Sequence, residues 1–370
     1  MTEMIEDASA KAAQAAQAAQ AAQAGHAAQA GHTAQAGQAA EDSLAARFEE
    51  HRPRLNAVAY RMLGSLSESE DAVQEAWFRL SRTEKAAVGK ATAGKAGSTG
   101  EHAGTGEHAG VGAGDEAGVA GEVRNLGGWL TTVVGRVCLD LLRSRQSRRE
   151  DSLDVSLETH VPDPVVSRVD VVDPEQEVLL ADSVGLALLI VLDTLAPAER
   201  LAFVLHDMFA VPFEEIAPIV ERSTAATRQL ASRARRRVQG STPAQETDVA
   251  KQREVVEAWM AATKAGDFDA LLALLDPDVV LRADSGELSS GLSKLVRGAA
   301  TVAGQAAMFA RLAVHQHLVL VNGLPGLVAT PGGEVFSIGS FTVVDGRIVE
   351  IDIIADPERL RNLRIPPLGD

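Results

Sequence analysis

Apolar side chains recur at three- and four-residue intervals over much of the chain before residue 240, which is the spacing of one face of an α-helix. The first such run is Leu55, Val58, Ala59, Met62 and Leu63. Gly64 and Ser65 interrupt it, and a second helical run follows up to Arg82, with Ser67 and Glu70 as a predicted capping box. The helical spacing returns over 128–145 and 179–239. The pattern predicts two all-α regions.

The remainder of the chain combines two periods. Helical stripes come first, and strand-like segments follow at 279–283, 317–321 and 334–344. Asp345 and Gly346 stand between apolar runs, which is a strong hairpin signal because both central positions of a type I′ turn need positive φ. The pattern predicts an α+β domain with a mainly antiparallel sheet.

Two low-complexity stretches lie outside these patterns, one before the first helical region and one within it. Residues 11–40 repeat AAQ and AGH, and residues 83–122 are rich in glycine and alanine. Neither carries an apolar stripe that could dock a helix, so we expect a disordered or weakly helical tail and a flexible insertion. The predicted organisation is a tail over 1–42, a helical domain over 43–150 with the insertion at 83–123, an acidic linker over 151–178, a second helical domain over 179–240 and the α+β domain over 251–370.

The chain is acidic, with 51 Asp and Glu against 35 Lys and Arg and a formal charge of −16. Such a charge opposes nonspecific binding to nucleic acid or membranes, so any such contact requires a local basic patch. Cys138 is the only cysteine, which fits a reducing compartment. No apolar run reaches the ~20 residues of a membrane span, and the N-terminus lacks a signal pattern. We expect a soluble, cytoplasmic protein that binds no membrane.

Positive charge concentrates between Thr224 and Val238, which contain five arginines and no acidic residue. The preceding segment 213–220 has an apolar face, and Ser223 or Thr224 can cap a following helix. Ala226, Leu230, Ala234 and Val238 recur every four residues and are expected to face the core. The side chains left to face outward are Thr224, Arg228, Gln229, Arg233, Arg236 and Arg237.

This layout predicts a helix-turn-helix. Its early outward residues reach base edges in DNA, and its later arginines reach phosphates. The alternative is a solvated basic face on an ordinary bundle helix. Pro218 lies inside the first helix, which we therefore expect to be bent or divided in two.

A second basic face is predicted on the helix over 128–145. Its polar side carries Thr132, Arg136, Asp140 and Arg143, and Trp129 opens the helix. Periodicity favours Trp129 as a core anchor, although an aromatic group beside basic ones also suits stacking with single-stranded DNA. An earlier helix places Asp71, Gln74 and Glu75 on one face, which suits either solvation or a protein partner.

Four segments carry a resemblance to a known family. FEEHRPRLNAVAYRMLGSLSESEDAVQEAWFRL and WLTTVVGRVCLDLLRSRQSRRE resemble the two halves of region 2 of sigma-70 factors. LDTLAPAERLAFVLHDMFAVPFEEIAPIVERSTAATRQLASRARRRV resembles region 4. The chain is similar to the extracytoplasmic-function (ECF) group, and its last domain resembles the SnoaL-like, NTF2-like extension that one subgroup carries. The resemblance covers roughly residues 43–82, 124–240 and 251–365.

The resemblance implies a role for each surface. Asp71, Gln74 and Glu75 match the helix that docks on the β′ clamp helices of core RNA polymerase. Trp129, Thr132, Arg136, Asp140 and Arg143 match the segment that recognises and melts the −10 element of promoter DNA. Thr224, Arg228, Gln229 and Arg233, with Arg236 and Arg237 beside them, match the helix that recognises the −35 element.

The resemblance also implies regulation by the last domain, in place of a separate anti-sigma factor, and action as a monomer. The subgroup's linker motif has an approximate counterpart in 160–164, with Pro162 and Pro164, and its C-terminal motif in 355–360, with Asp356, Pro357 and Leu360. The long insertion and the tail depart from the family pattern. The domain's excess of acidic groups suits a partner of the arginine-rich surfaces.

Two other functions compete with a sigma factor. One is a one-component helix-turn-helix regulator whose NTF2-like cavity binds a ligand, and the other is an enzyme fused to a vestigial DNA-binding region. Asp284, Glu287, His315 and His317 are the candidates for an acid–base pair. We favour no catalytic residue, no cofactor and no metal site, since His26, His32, His102 and His108 lie in low-complexity sequence without supporting ligands.

Overall fold

The computed structural model describes residues 42–96, 125–150, 159–169, 185–241, 248–286, 294–308 and 315–368. The chain divides into two compact units, residues 1–52 and 53–370. The described part of the first unit is helical, and an exposed ion pair joins Arg52 to Glu49 at 3.2 Å. The predicted tail, the four histidines of the low-complexity stretches and Glu287 lie outside the described residues.

Three helices form the first helical region. Helix α1 occupies 42–63, α2 spans Leu66–Ala96 and α3 spans Leu126–Glu150. Gly64 ends α1 as predicted, with a φ of 68°. Helix α2 continues through residues 83–96, so this part of the predicted flexible insertion is wrong. These residues are rich in alanine and lysine, which have high helix propensity and so favour continuation of α2. The rest of the insertion lies outside the described residues.

The second helical region is built from four helices and one π-helical turn. These are α4 (Leu186–Asp193), α5 (Pro197–Phe203), the turn Val204–Met208, α6 (Phe213–Val220) and α7 (Thr224–Ser241). Helix α3 of the first region packs directly against α5 and α6. The two helical regions therefore share one interface in this structure.

A seven-stranded sheet with four flanking helices forms the last region. The helices are α8 (Val249–Ala265), α9 (Phe268–Leu274), α10 (Ala299–Met308) and α11 (Pro357–Asn362). The strands are β1 (Val166–Ser167), β2 (Leu275–Asp284), β3 (Lys294–Arg297), β4 (Gln316–Val321), β5 (Leu324–Ala329), β6 (Ser337–Val344) and β7 (Arg347–Ile354). Their order is β1-β4-β5-β6-β7-β2-β3, and only the β2–β7 pair is parallel.

Two tight turns set the register of the central strands. The predicted Asp345-Gly346 turn is confirmed, with φ values of 49° and 76°. Asn322 and Gly323 form an equivalent turn between β4 and β5 that the sequence interpretation missed. Strand β5 was missed too, because Pro325 and its neighbouring glycine argue against a strand.

One face of the sheet packs on α8, α9 and α10 and forms the core of this region, where Trp259 meets Phe341 edge to face. On the other face, Asp352 is buried and binds Arg282 of the neighbouring strand. Among the described helices, none is long and apolar enough to cross a membrane.

Candidate nucleic-acid interface

The basic segment forms the second helix of a helix-turn-helix. Helix α6 ends at Val220, where Glu221 adopts a left-handed conformation with a φ of 57°. Ser223 caps α7 as predicted, since its Oγ accepts a hydrogen bond from the Ala226 N–H at 3.2 Å. Helix α6 runs unbroken through Pro218, so it is not divided in two. Because this proline lies in the last turn, few helical hydrogen bonds follow it.

The buried side of α7 differs from the predicted row. Thr227, Ala231 and Ala234 are buried, whereas Ala226 and Leu230 are only half-buried at the edge. A strict four-residue repeat turns by ~40° at each step, so it cannot follow a straight seam along a helix of 3.6 residues per turn. The true seam alternates four- and three-residue steps.

The other side of α7 faces solvent, as predicted. Arg228, Gln229, Arg233, Arg236 and Arg237 are exposed, and Thr224 is half-buried. These side chains therefore form a continuous polar face that a nucleic acid could reach. We call this set the α7 face.

Carboxylates of the same helical region hold several of the arginines. Arg228 binds Glu214 at 3.0 Å, and both Arg233 and Arg237 bind Glu199, at 2.9 and 3.4 Å. The Arg228–Glu214 pair is exposed and contributes little to stability, whereas the Glu199 side chain is only 12% exposed. All three pairs restrict where the guanidinium groups lie. Over the part of the chain that the structure describes, the ion pairs of Arg228, Arg233 and Arg237 are with acidic residues of their own region.

Helix α3 places the second predicted basic set on one side. Trp129, Thr132 and Arg136 are half-buried, and Asp140 and Arg143 are exposed. The opposite side is buried in the first helical region, with Leu130 and Val134 fully covered. Trp129 is therefore neither a full core anchor nor freely exposed, and both of its predicted roles remain open.

A third side of α3 supports the second helical region. Gly135 lies at the contact, where a Cβ would lie 3.4 Å from Leu201, 3.6 Å from Leu205 and 3.7 Å from Ile219. The nearby Cys138 is buried, and burial raises the pKa of its thiol to about 12. Helix α3 thus has apolar contacts on two sides and leaves only the polar strip uncovered.

The acidic face of α2 is also accessible. Asp71 and Gln74 are exposed, and Glu75 is half-buried and binds Arg79 at 2.9 Å. Helix α2 begins at Leu66, one residue before the predicted cap Ser67, so the predicted capping box is wrong. Its first N–H is instead held by a side chain from the predicted linker.

That side chain is Asp163, within the described linker residues 159–169, which we call the inter-region segment. Its Oδ2 accepts from the Leu66 N–H at 3.2 Å, and its own N–H donates to the Gly64 carbonyl at 2.8 Å. Its Oδ1 accepts from Arg359 of α11 at 2.6 Å. Asp163 therefore joins the α1–α2 corner to the last region.

The predicted regulatory residues surround this junction. Pro162 and Pro164 are buried in the inter-region segment, and Leu360 is buried in α11. Asp356 caps α11 by accepting from the Glu358 N–H at 2.9 Å, and Pro357 is exposed at the first position of that helix. Arg359, on the same helix, was missed because a lone arginine in a short helix resembles any solvated charge.

Asp284 is the second carboxylate at the junction. Its Oδ2 accepts from Arg359 at 2.7 Å and from the Val161 N–H at 3.0 Å, and it lies 3.2 Å from Nδ1 of His160. Burial alone would raise the pKa of Asp284, but the hydrogen bonds from His160 and Val161 and the charge of Arg359 lower it to about 2. This candidate acid–base residue is thus an ionised structural anchor.

The other catalytic candidates do not join Asp284. His315 is exposed next to β4, and His317 lies 3.0 Å from the Thr330 hydroxyl across the β4–β5 pair. Asp284 ends β2, which lies near the opposite edge of the sheet from β4. The described candidates therefore form separate contacts rather than one acid–base site.

Tyr60 and Asn322 form a second junction that the sequence interpretation missed. The Tyr60 hydroxyl donates to the Asp163 carbonyl at 2.6 Å, and the Asn322 amide donates to the Tyr60 hydroxyl at 3.1 Å. Asn322 Oδ1 accepts from the Val165 N–H at 2.8 Å. Burial raises the pKa of Tyr60, which keeps the hydroxyl protonated. The Asn-Gly turn was the signal for this site, although nothing in it indicated a contact with α1.

Comparison with known proteins identifies these regions. Residues 47–92 match sigma-70 region 2, and residues 186–238 match sigma-70 region 4. The chain is 35% identical over 343 residues to the ECF RNA polymerase sigma factor SigJ of Mycobacterium tuberculosis, covering 88% of this chain and 97% of that protein. It is 33% identical over 327 residues to the probable ECF RNA polymerase sigma factor SigI of the same organism, covering 87% of this chain and 97% of that protein.

The crystal structure of Mycobacterium tuberculosis SigJ has a TM-score of 0.60 and 32% identity, covering 87% of this chain and 100% of that one. The predicted fold class, two helical sigma regions followed by an NTF2-like α+β domain, is confirmed. The first helical region is sigma region 2 and the second is sigma region 4. With identity of this level over most of its length, the chain belongs to the ECF RNA polymerase sigma factors of the sigma-70 family.

Proposed function

We propose a division of labour within this sigma factor, which binds core RNA polymerase and promoter DNA and directs promoter-specific initiation. The α7 face recognises the −35 element, the polar strip of α3 recognises the −10 element, and the acidic face of α2 docks on the β′ clamp helices. One observation carries the proposal: two accessible basic helix faces and one accessible acidic face occur on a single chain of this family.

In region 4, position along the helix sets each role. Thr224, Arg228 and Gln229 lie near the N-terminus of α7, the end of a recognition helix that contacts base edges. Arg233, Arg236 and Arg237 lie later and suit phosphate contacts. The exposed pair between Arg228 and Glu214 is weak enough for a phosphate to replace the carboxylate.

In region 2, the half-buried state of Trp129 and Arg136 suits recognition of an opened strand. Each side chain is partly covered by packing and partly exposed to solvent, so a base or a phosphate can reach its exposed part. Such aromatic and basic neighbours favour single-stranded DNA, with stacking worth ~1–3 kcal/mol per base. Thr132, Asp140 and Arg143 complete this surface.

Run-off transcription tests these assignments. Purified core polymerase and the full chain are incubated with candidate promoters, and the α7 face and the α3 strip are altered separately through Arg228→Ala and Arg136→Ala. We expect promoter-dependent transcripts from the wild type and loss of promoter-dependent product from each variant. Absence of such initiation both with the wild type and with a chain that ends near Gly240 would overturn the proposal.

Region 4 packs on helix α3 of region 2, an arrangement that we call closed. We further propose that the protein is inactive in this closed arrangement. The two promoter elements are named for positions about 25 base pairs apart, which is about 85 Å at ~3.4 Å per base pair. Region 4 packs directly on α3 around Gly135, so the two DNA-binding surfaces cannot span that distance in this arrangement. Promoter binding requires region 4 to leave α3.

The SnoaL-like domain is positioned to control this opening. It holds the inter-region segment through Arg359 and Asp284, and Asn322 holds Tyr60 of region 2. The segment is part of the linker between regions 2 and 4, so fixing it limits how far region 4 can move. Regulation acts through the linker rather than by covering the α7 face.

The same arrangement supports the remaining expectations. A regulator inside the chain makes a separate anti-sigma factor unnecessary, and one copy serves one polymerase, so we propose that the protein acts as a monomer in the cytoplasm. We propose that the SnoaL-like domain is regulatory and not an enzyme. Asp284, its best acid–base candidate, is engaged with three partners at the junction.

A further inference from the structure

Helix α2 carries a large apolar side chain on its outer surface. Phe78 is 51% exposed, whereas Val73, Ala76 and Leu80 on the same helix are at most 2% exposed. Removing a phenylalanine of this size from water is worth ~1.5–3 kcal/mol, so its position on the surface leaves that free energy unused. The buried residues show that α2 already has a complete inward face without it.

Phe78 lies at the centre of the acidic face. Successive helical residues are ~100° apart, so relative to Asp71 the side chain of Gln74 lies at about −60°, Glu75 at about +40° and Phe78 at about −20°. The aromatic ring thus lies between the polar groups assigned to polymerase docking. Burial confirms the direction, since Asp71 and Gln74 are exposed on the same side as Phe78.

We propose that Phe78 is the apolar anchor of the polymerase-docking surface. This inference rests on the proposed docking role of Asp71, Gln74 and Glu75 and names a further residue that determines its affinity. An aromatic side chain surrounded by polar groups is the usual arrangement of an interface hot spot, in which the rim excludes water from the centre. The proposal therefore predicts that the surface of core polymerase that receives Phe78 has an apolar position flanked by basic groups, which would complement Asp71 and Glu75.

Direct binding of the full chain to purified core polymerase tests the anchor. We expect Phe78→Ala to raise the Kd by at least about tenfold, as for other aromatic hot spots, and Phe78→Leu, which keeps an apolar side chain, to raise it by no more than about threefold. Phe336→Ala is the matched control, because Phe336 is 47% exposed in the SnoaL-like domain. The far-UV circular dichroism spectrum and the thermal unfolding midpoint of each variant should equal those of the wild type, which excludes a folding defect.

The outcomes separate this inference from the docking proposal. If Asp71→Ala weakens core binding while Phe78→Ala stays within about twofold of the wild type, the anchor is wrong and the docking face stands. An equal loss for Phe336→Ala and Phe78→Ala also overturns the anchor, since exposure alone would then explain the effect. Failure of the wild-type chain to bind core polymerase overturns both proposals.

Discussion

Arg359 in the SnoaL-like domain binds Asp163 in the inter-region segment, with its Nε and Nη2 at 2.9 and 2.6 Å from the same carboxylate oxygen. The guanidinium also donates to the Val161 carbonyl at 2.6 Å and to Asp284 at 2.7 Å. One side chain therefore satisfies two carboxylates and a carbonyl drawn from two parts of the chain. Its removal tests whether this junction restrains the sigma regions.

Arg359→Ala is expected to open the closed arrangement. It leaves Asp163 and Asp284 without their shared cation, and breaking a buried charge cluster costs ~3–5 kcal/mol. Each ~1.4 kcal/mol by which the closed state is destabilised shifts an equilibrium tenfold, so we expect run-off transcription to rise at least about fivefold. The distance between spin labels on regions 2 and 4 should lengthen in the same variant.

Arg361→Ala is the control for this prediction. Arg361 lies two residues further along α11, is exposed and, among the described residues, donates to the Pro357 carbonyl of its own helix. It removes the same charge without touching the inter-region segment. Unchanged transcription and label distances in Arg359→Ala, with the SnoaL-like domain still folded, would contradict linker control.

Arg236→Ala and Arg233→Ala are expected to weaken DNA binding because each removes a guanidinium that neutralises a phosphate. Each such substitution should make the negative slope of log K against log salt less steep by ~0.9. The affinity should fall by a similar factor for different DNA sequences. Fluorescence anisotropy at several salt concentrations measures both quantities. Arg253→Ala changes the net charge equally in the SnoaL-like domain, so a slope change there of the same size would argue against specific phosphate binding by α7.

Asn322→Ala is expected to destabilise the protein. Asn322 is fully buried, and its removal leaves the Val165 N–H without an acceptor, at ~1–3 kcal/mol for an unsatisfied buried group. The Tyr60 hydroxyl loses the Asn322 amide as a donor but still donates to the Asp163 carbonyl. The φ of 50° at Asn322 adds strain for alanine. Chemical denaturation measures the change in the free energy of unfolding. In a double-mutant cycle, Tyr60→Phe together with Asn322→Ala should lose less stability than the sum of the two single losses, because both substitutions remove the same hydrogen bond. Purely additive effects would show that the two residues are not coupled.

The sequence was sufficient for the helical regions and for the outward faces of α3 and α7. Their signals are local: a periodic apolar face, a Ser223 cap and an arginine-rich polar side all lie within one helix and its turn. The buried row of α7 was misplaced because a four-residue repeat drifts around a helix. Strand β5 escaped detection because Pro325 occupies a position that usually breaks strands.

The resemblance indicated both 160–164 and 355–360, but the contact between these segments at the junction could not be predicted, for a different reason. Asp163, Asp284 and Arg359 are far apart in sequence, and each is an ordinary charged residue in its own segment. These three residues come together because the inter-region segment adds strand β1 to the sheet, with Val166 opposite Val321. A two-residue strand has no periodicity to detect, so its position is decided by tertiary contacts alone.

Asp352→Asn is expected to alter how stability depends on pH. Burial raises the pKa of Asp352, and the negative charge of Glu350 adds to this, while Arg282 opposes both. The folded carboxyl therefore holds its proton at higher pH than the unfolded one, which ionises near pH ~4. In the window above that value the folded state binds more protons, so the wild type loses stability as the pH rises, until the folded carboxyl has also ionised.

Asparagine cannot ionise, and the variant should gain stability relative to the wild type between about pH 5 and pH 8. Thermal unfolding across that range measures the difference, with Asp345→Asn in the exposed β6–β7 turn as the control. Parallel pH profiles for Asp352→Asn and the wild type would show that Arg282 keeps this buried carboxylate ionised throughout.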